Sequence, residues 1–164
     1  MRSKYGNVGL FFINYLIQAI LIAIVSLPLQ SVLSTNNLEL NIISWLSGII
    51  ALAGITIEAL SDKQLKAFKK DTLNNGKVMS LGLWNYSRHP NYFGNSLFWW
   101  GISIYSLSLT FELIVLVSPI IMTYFLLKVS GVSMLESQIK HTKDGYKEYI
   151  DTTSAFIILP KKKK

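Results

Sequence analysis

Four long apolar stretches, Gly9 to Leu33, Ile42 to Leu60, Tyr92 to Leu109 and Phe111 to Val129, divide this chain. Each is close to the roughly 20 residues that an α-helix needs to cross a hydrocarbon core. A chain of 164 residues with 51% hydrophobic content cannot bury so much apolar surface in one water-soluble core. The fold expected is all-α, a multi-pass membrane helix bundle of about four transmembrane helices. Arg2 and Lys4 ahead of the first stretch imitate a signal peptide, but its apolar run exceeds the roughly 7 to 15 residues of a signal core. Residues 1–160 are read as one membrane domain and 161–164 as a basic tail. Pro28 is expected to kink or end the first helix, and Pro119 to be tolerated within the fourth.

The net charge of +7 is distributed on one side. Lys63, Lys66, Lys69, Lys70, Lys77 and Arg88 lie between the second and third stretches, and Lys140, Lys143, Lys147 and Lys161 to Lys164 follow the fourth. The segments Ser34 to Asn41 and Thr110 to Glu112 hold no Lys or Arg. The positive-inside tendency then places both termini and the middle link in the cytosol, as four crossings require. Membrane lipid is the partner these lysines imply, and nucleic acid is not expected. The absence of cysteine excludes disulfides and thiolate metal sites, no His, Asp and Glu grouping has metal-ligand spacing, and neither GxGxxG nor a P-loop occurs.

Polar groups at a membrane boundary mark the candidate site, because they are costly there unless something binds them. Glu58 and Asp62 are four apart on one helical face near the cytosolic end of the second helix. Two like charges at that spacing oppose each other and, at a helix C-terminus, the macrodipole, unless the helix continues to Lys69 and Lys70. The third helix opens on Arg88-His89-Pro90-Asn91-Tyr92, with Pro90 fitting its first turn. Arg88 and the helix N-terminus suit a phosphate or carboxylate, Asn91 and Asn95 share a face, and His89 either binds phosphate or caps the helix. Trp84 is expected to anchor at the interface, and Trp99 and Trp100 to pack. Tyr146 and Tyr149, three apart in the tail, either pack on the bundle or donate hydroxyls to a ligand closed in by that tail.

These residues amount to a resemblance. Glu58-x-x-x-Asp62-x-Gln64-Leu65, the run Gly82-Leu83-Trp84-x-Tyr86-Ser87-Arg88-His89-Pro90-Asn91-Tyr92-Phe93-Gly94, Leu135-Glu136, Gly145-Tyr146-x-x-Tyr149 and Thr153-Ser154-Ala155-Phe156 are similar to the C-terminal domain of the steroid 5α-reductase family, most closely its DUF1295 branch. The resemblance covers roughly residues 40 to 160. It implies a membrane reductase that uses NADPH to reduce an activated carbon-carbon double bond in a hydrophobic, lipid-like substrate. The implied cofactor set is Glu58, Asp62, Lys69, Tyr86, Arg88, His89, Asn91, Tyr92, Asn95, Glu136, Tyr146 and Tyr149, with no metal.

Three positions depart from the family pattern: Glu58 and Lys69 replace an Asn and an Arg of the best-known steroid reductases, and Asn95 replaces a Glu. In those reductases the groups that polarise the substrate carbonyl precede the matched region, so the resemblance assigns no catalytic proton donor. A similar Arg-His-Pro-x-Tyr-x-Gly element occurs in isoprenylcysteine methyltransferases, which makes S-adenosylmethionine the alternative cofactor. A non-catalytic lipid- or partner-binding role is the third reading, and the oligomeric state is open. The expected location is an integral membrane one: the endoplasmic reticulum in a eukaryote, where Lys161 and Lys162 have dilysine-retrieval spacing, or the inner membrane of a bacterium.

Overall fold

The computed structural model describes residues 4–36, 39–129, 132 and 145–162. Among the described residues six α-helices carry the fold: α1 (Lys4–Val25), α2 (Leu27–Ser34), α3 (Ile42–Lys70), α4 (Pro90–Thr110), α5 (Val117–Tyr124) and α6 (Tyr146–Thr152). A π-helical turn, Phe125–Val129, prolongs α5, and 3-10 turns lie at Thr72–Asn74, Gly82–Asn85 and Leu113–Leu116. The described residues form no strand; one isolated parallel bridge joins Ser87 to Ser154.

The first apolar stretch breaks where Pro28 removes a backbone donor. The axes on either side differ by 52°. Ser26 Oγ and Gln30 Nε2 donate to the Ala23 carbonyl at 3.1 and 3.0 Å, so the break leaves that acceptor satisfied. Helix α3 begins at a reciprocal cap between Asn41 and Ser44 and runs unbroken for 29 residues, past Glu58 and Asp62 to Lys69 and Lys70. The two acids therefore stand within the helix, clear of its negative end.

The α3–α4 pair is antiparallel and very close. Along α3 the buried positions are Ser44, Ser47, Ala51, Gly54 and Ser61, spaced alternately by three and four up to Gly54. Facing them on α4 are Ser108, Gly101, Phe98 and Gly94. The Ser44 and Ser108 hydroxyls are 2.8 Å apart. A Cβ added to Gly54 would stand 2.5 Å from the Phe98 nitrogen, one on Gly94 2.6 Å from the Glu58 nitrogen, and one on Gly101 2.5 Å from the Ala51 nitrogen. Only glycine permits that backbone approach.

The outside of the pair reverses the pattern of a soluble helix. Trp45, Leu46, Ile49, Leu52 and Ile55 are exposed, while Ser44, Ser47, Ser96, Ser103, Ser106 and Ser108 are buried. Small and polar side chains inside with large apolar ones outside is the distribution favoured when the solvent is hydrocarbon, where burying leucine gains little and close packing gains most. By length and composition, α3 alone among the described helices qualifies to cross a membrane, and α1 with α2 does so if the bent pair is one span. The segment Leu113–Val129 is apolar but shorter. In α4 the serines and the amides of Asn91 and Asn95 lower the apolar content of a 21-residue helix.

The glycine contacts separate two outcomes on the same chain. Gly54→Ala or Gly94→Ala should lower stability by about 1–3 kcal/mol through overpacking. Gly48→Ala, where the added Cβ meets open space, should be neutral or raise stability by up to about 1 kcal/mol. Denaturation of the purified protein in detergent reads both; equal effects at Gly48 and Gly54 would contradict the register.

Candidate site at the lower end of the α3–α4 pair

The close packing of α3 and α4 sets two acid–amide rungs. Asn95 Nδ2 donates to both Glu58 oxygens at 3.1 and 3.2 Å, and one turn away Asn91 Nδ2 donates to Asp62 Oδ1 at 3.0 Å. A carboxylate only accepts, so each amide must turn its nitrogen toward the acid. Its carbonyl oxygen is thereby directed elsewhere. The Oδ1 atoms of Asn91 and Asn95 are both buried and without a hydrogen-bond partner, an arrangement that costs stability until a donor meets them.

Beside the Asn91 rung lies a cavity of about 500 Å³, within the range that small-molecule sites occupy. Its wall includes Leu65, Lys69, Met79, Trp84, Arg88, His89, Asn91, Tyr92, Tyr146 and Tyr149. Seven of the twelve residues singled out from the sequence thus meet at one place: Lys69, Arg88, His89, Asn91, Tyr92, Tyr146 and Tyr149. Asp62 adjoins it through its bond to Asn91, while Glu58 and Asn95 form the next rung, one turn farther along the pair and outside the cavity wall. Tyr86 is exposed and outside this wall, and Glu136 lies outside the described residues. A second cavity of about 590 Å³ shares Val78 and Tyr149 with the first and has Lys161 and Lys162 in its wall.

The segment before α4 is held on both sides. Gly82 has φ +59° and sits where a Cβ would strike the Gln64 side chain, and Gln64 Oε1 accepts from the Leu83 N–H at 3.0 Å. Trp84, expected at an interface, is instead buried, its Nε1 donating to the Ser61 carbonyl at 3.0 Å. Ser61 lies inside α3, so its carbonyl already serves the helix and takes the indole N–H on its second lone pair. From the other side comes the tail: the Tyr149 hydroxyl bonds to the Trp84 carbonyl, Arg88 N donates to the Ser154 carbonyl at 2.8 Å, and Leu159 N donates to the Tyr86 carbonyl at 3.2 Å. Of the two readings offered for Tyr149, packing on the bundle is the one its hydroxyl serves.

Arg88 lines the cavity while its Nη1 donates to the carbonyls of Ile150 and Thr153 at 2.8 and 2.6 Å. A guanidinium belongs at such a place because the last carbonyls of α6 have no partner within the helix and carry partial negative charge. His89 is buried, and its side chain makes no capping bond to α4, so of the two roles read from sequence the side-chain cap is not made; its ring stacks parallel to Tyr92 at 5.4 Å. The α4 N-terminus is set by Pro90 in the first turn and by Ser87 Oγ, which accepts from His89 N at 3.2 Å. Ser61, Gln64 and Ser87 carry no charge, and although Gln64 and Ser87 fall within the motif, their hydrogen bonds to the segment ahead of α4 are what show that they position the site. Among the described residues no group of His, Asp and Glu is placed to hold a metal ion.

Bundle, rungs and cavity define a small all-helical protein with a polar site at one end of an apolar helix pair. The model of the family described as a protein of unknown function, DUF1295, matches residues 1–153, and the chain belongs to that family. The matched region begins well before residue 40, so α1 and α2 are part of the family's own extent. No curated protein and no solved structure matches the chain.

The contact between Glu58 and Asn95 changes the meaning of two departures from the steroid-reductase pattern. The acid and the amide face each other, so an Asn at 58 and a Glu at 95 would be the same pair reversed, with the charge moved across the rung. Asn95→Glu alone should set two carboxylates against one another and destabilise the protein by about 1–3 kcal/mol. Adding Glu58→Asn should recover most of that loss. A double-mutant cycle in a denaturation assay checks it, and additive effects of the two changes would contradict the pairing.

Proposed function

We propose that this chain is a membrane-embedded reductase that uses NADPH to reduce an activated carbon-carbon double bond in a lipid-like substrate. The observation that carries the reading is the buried, unpartnered carbonyl of Asn91, a residue in the wall of a cavity that also presents Lys69, Arg88 and aromatic rings, with the like carbonyl of Asn95 one turn along α4. Those groups suit the cofactor's parts: Asn acceptors for an amide or ribose hydroxyl, Lys69 for a phosphate, and Trp84 or Tyr92 for a ring face. Arg88 suits a phosphate less freely, because Nη1 already serves the tail; its contribution is the positive charge it brings to the cavity wall. When bound, NADPH supplies a hydride. The chain's own residues hold and orient it, while the tail from Tyr146 to Lys162 covers the cavity against water. Support for the chemistry comes from the resemblance around Tyr86 to Gly94.

In this reading all four apolar stretches lie in the bilayer, with both termini and the link from Ser61 to Ser80 in the cytosol. The one-sided lysines and the inside-out burial support it. The site then opens at the cytosolic boundary, where a soluble cofactor and a membrane-dissolved substrate can both arrive.

Equilibrium binding of the purified protein to NADPH, NADH and S-adenosylmethionine tests the cofactor. NADPH should bind, and Asn91→Ala should weaken it by about 1–3 kcal/mol, the cost of a buried hydrogen bond left unmade. Binding of S-adenosylmethionine alone, or of none of the three, would reject the reading. Topology is checked separately with single cysteines introduced at the exposed Asn36 and Asn75 in sealed vesicles. They should label from opposite sides, and labelling of both from one side would remove the odd number of crossings required between them.

A further inference from the structure

Helix α1 carries two primary amides that the bundle does not use. Asn14 and Gln18 stand four apart on one helical face, and every residue from Phe11 to Ile20 is exposed. Among the described residues neither amide has a hydrogen-bond partner. Gln30, in the next helix, shows the contrast: its Nε2 is held by the Ala23 carbonyl and by Ser26 Oγ at 3.0 and 2.6 Å. In the sequence Asn7 stands one heptad before Asn14.

The face is continuous with one that is already an interface. Positions 14, 18, 21 and 25 follow the four-three-four spacing of a helix-packing seam. Leu21 and Val25 are half-buried at its C-terminal end, and Ser118 Oγ of α5 donates to the Val25 carbonyl at 2.7 Å. Toward the N-terminus from Leu21 the seam goes on, with its most polar residues, and no described helix covers it. In hydrocarbon an uncovered amide is unfavourable, because lipid offers it neither donor nor acceptor.

We infer that α1 pairs with α1 of a second copy of this chain, through the Asn14 and Gln18 amides. A second copy fits for a chemical and a geometric reason. A primary amide both donates and accepts, so the partner that satisfies it fully is another amide; a purely cationic partner would leave the N–H groups unmet, and a carboxylate would leave the carbonyl unmet. Copies inserted in one direction also place Asn14 at the depth of Asn14 and Gln18 at the depth of Gln18. The pair is parallel and two-fold symmetric, the commonest closed arrangement.

The inference rests on the bilayer placement proposed above, so flotation of the full chain with phosphatidylcholine vesicles is measured first. A chain that fails to float rejects the placement and the pairing together. The natural sequence has no cysteine, so one introduced at exposed Asn75 takes donor or acceptor dye without touching the seam. Energy transfer between copies should be present in vesicles and fall as lipid is added. Asn14→Leu with Gln18→Leu should shift the dilution midpoint by about tenfold toward the monomer, the scale of interhelical amide bonds in lipid; these leucines favour insertion, so loss of transfer reports pairing. Under mild oxidation, cysteines at Asn14 or Gln18 should cross-link, and cysteines at Phe12 or Leu16, on the opposite face, should not. A wild-type chain that floats without energy transfer, transfer unchanged by the leucines, or cross-linking through Phe12 and Leu16 would each overturn the pairing.

Discussion

The backbone-to-backbone approach of α3 and α4 is the constraint on which the rest depends. Gly54, Gly94 and Gly101 leave room for peptide groups of the opposite helix, and the Ser44–Ser108 contact holds the upper end in register. With the axes that close, short side chains can reach across, so a carboxylate of α3 meets an amide of α4 at hydrogen-bond distance in two successive turns. A larger residue at any of the three glycines would separate the rungs. The polar site thus follows from the apolar part of the sequence, where the glycines lie.

Closure of the site depends on a second set of contacts, nearly all to backbone. Trp84 is fixed by Ser61 from below, and the Trp84 carbonyl is bonded by Tyr149 from above. Arg88 ties the end of α6 to the start of α4. Hydrogen bonds to carbonyls are insensitive to the identity of the residue that offers them, so the tail is held by a few named side chains against an otherwise permissive surface. Tyr146 and Tyr149, with ring centroids 6.0 Å apart, then form part of the cavity wall.

Much of this architecture was legible in the sequence. The helices follow the apolar stretches, the break at Pro28 and the start at Pro90 follow from proline's missing donor, and the run of α3 to Lys70 resolves the unfavourable placement of Glu58 and Asp62. Spacing also put both acids on one face, and Asn91 and Asn95 on another. Their mutual pairing was not legible, because an i,i+4 spacing gives a face but not what it faces. Trp84 was misplaced for a related reason: an indole ahead of an apolar helix suits a membrane interface equally well, and its bond to the Ser61 carbonyl on another helix cannot be read from spacing. The apolar character of α4 is weakly expressed in its composition because its serines, turned inward, lower its mean hydropathy.

The central claim is that α3 keeps its small residues on α4 and its large apolar residues toward hydrocarbon. Nitroxide labels placed one at a time on cysteines substituted along residues 44–55, in vesicles, read this directly through their relaxation by oxygen, which concentrates in lipid. The account predicts a helical oscillation with maxima at Trp45, Ile49 and Leu52 and minima at Ser44, Ser47 and Ala51. A profile with those maxima and minima exchanged, or one in which a water-soluble relaxant reaches Trp45, Ile49 and Leu52 more readily than oxygen does, would contradict it.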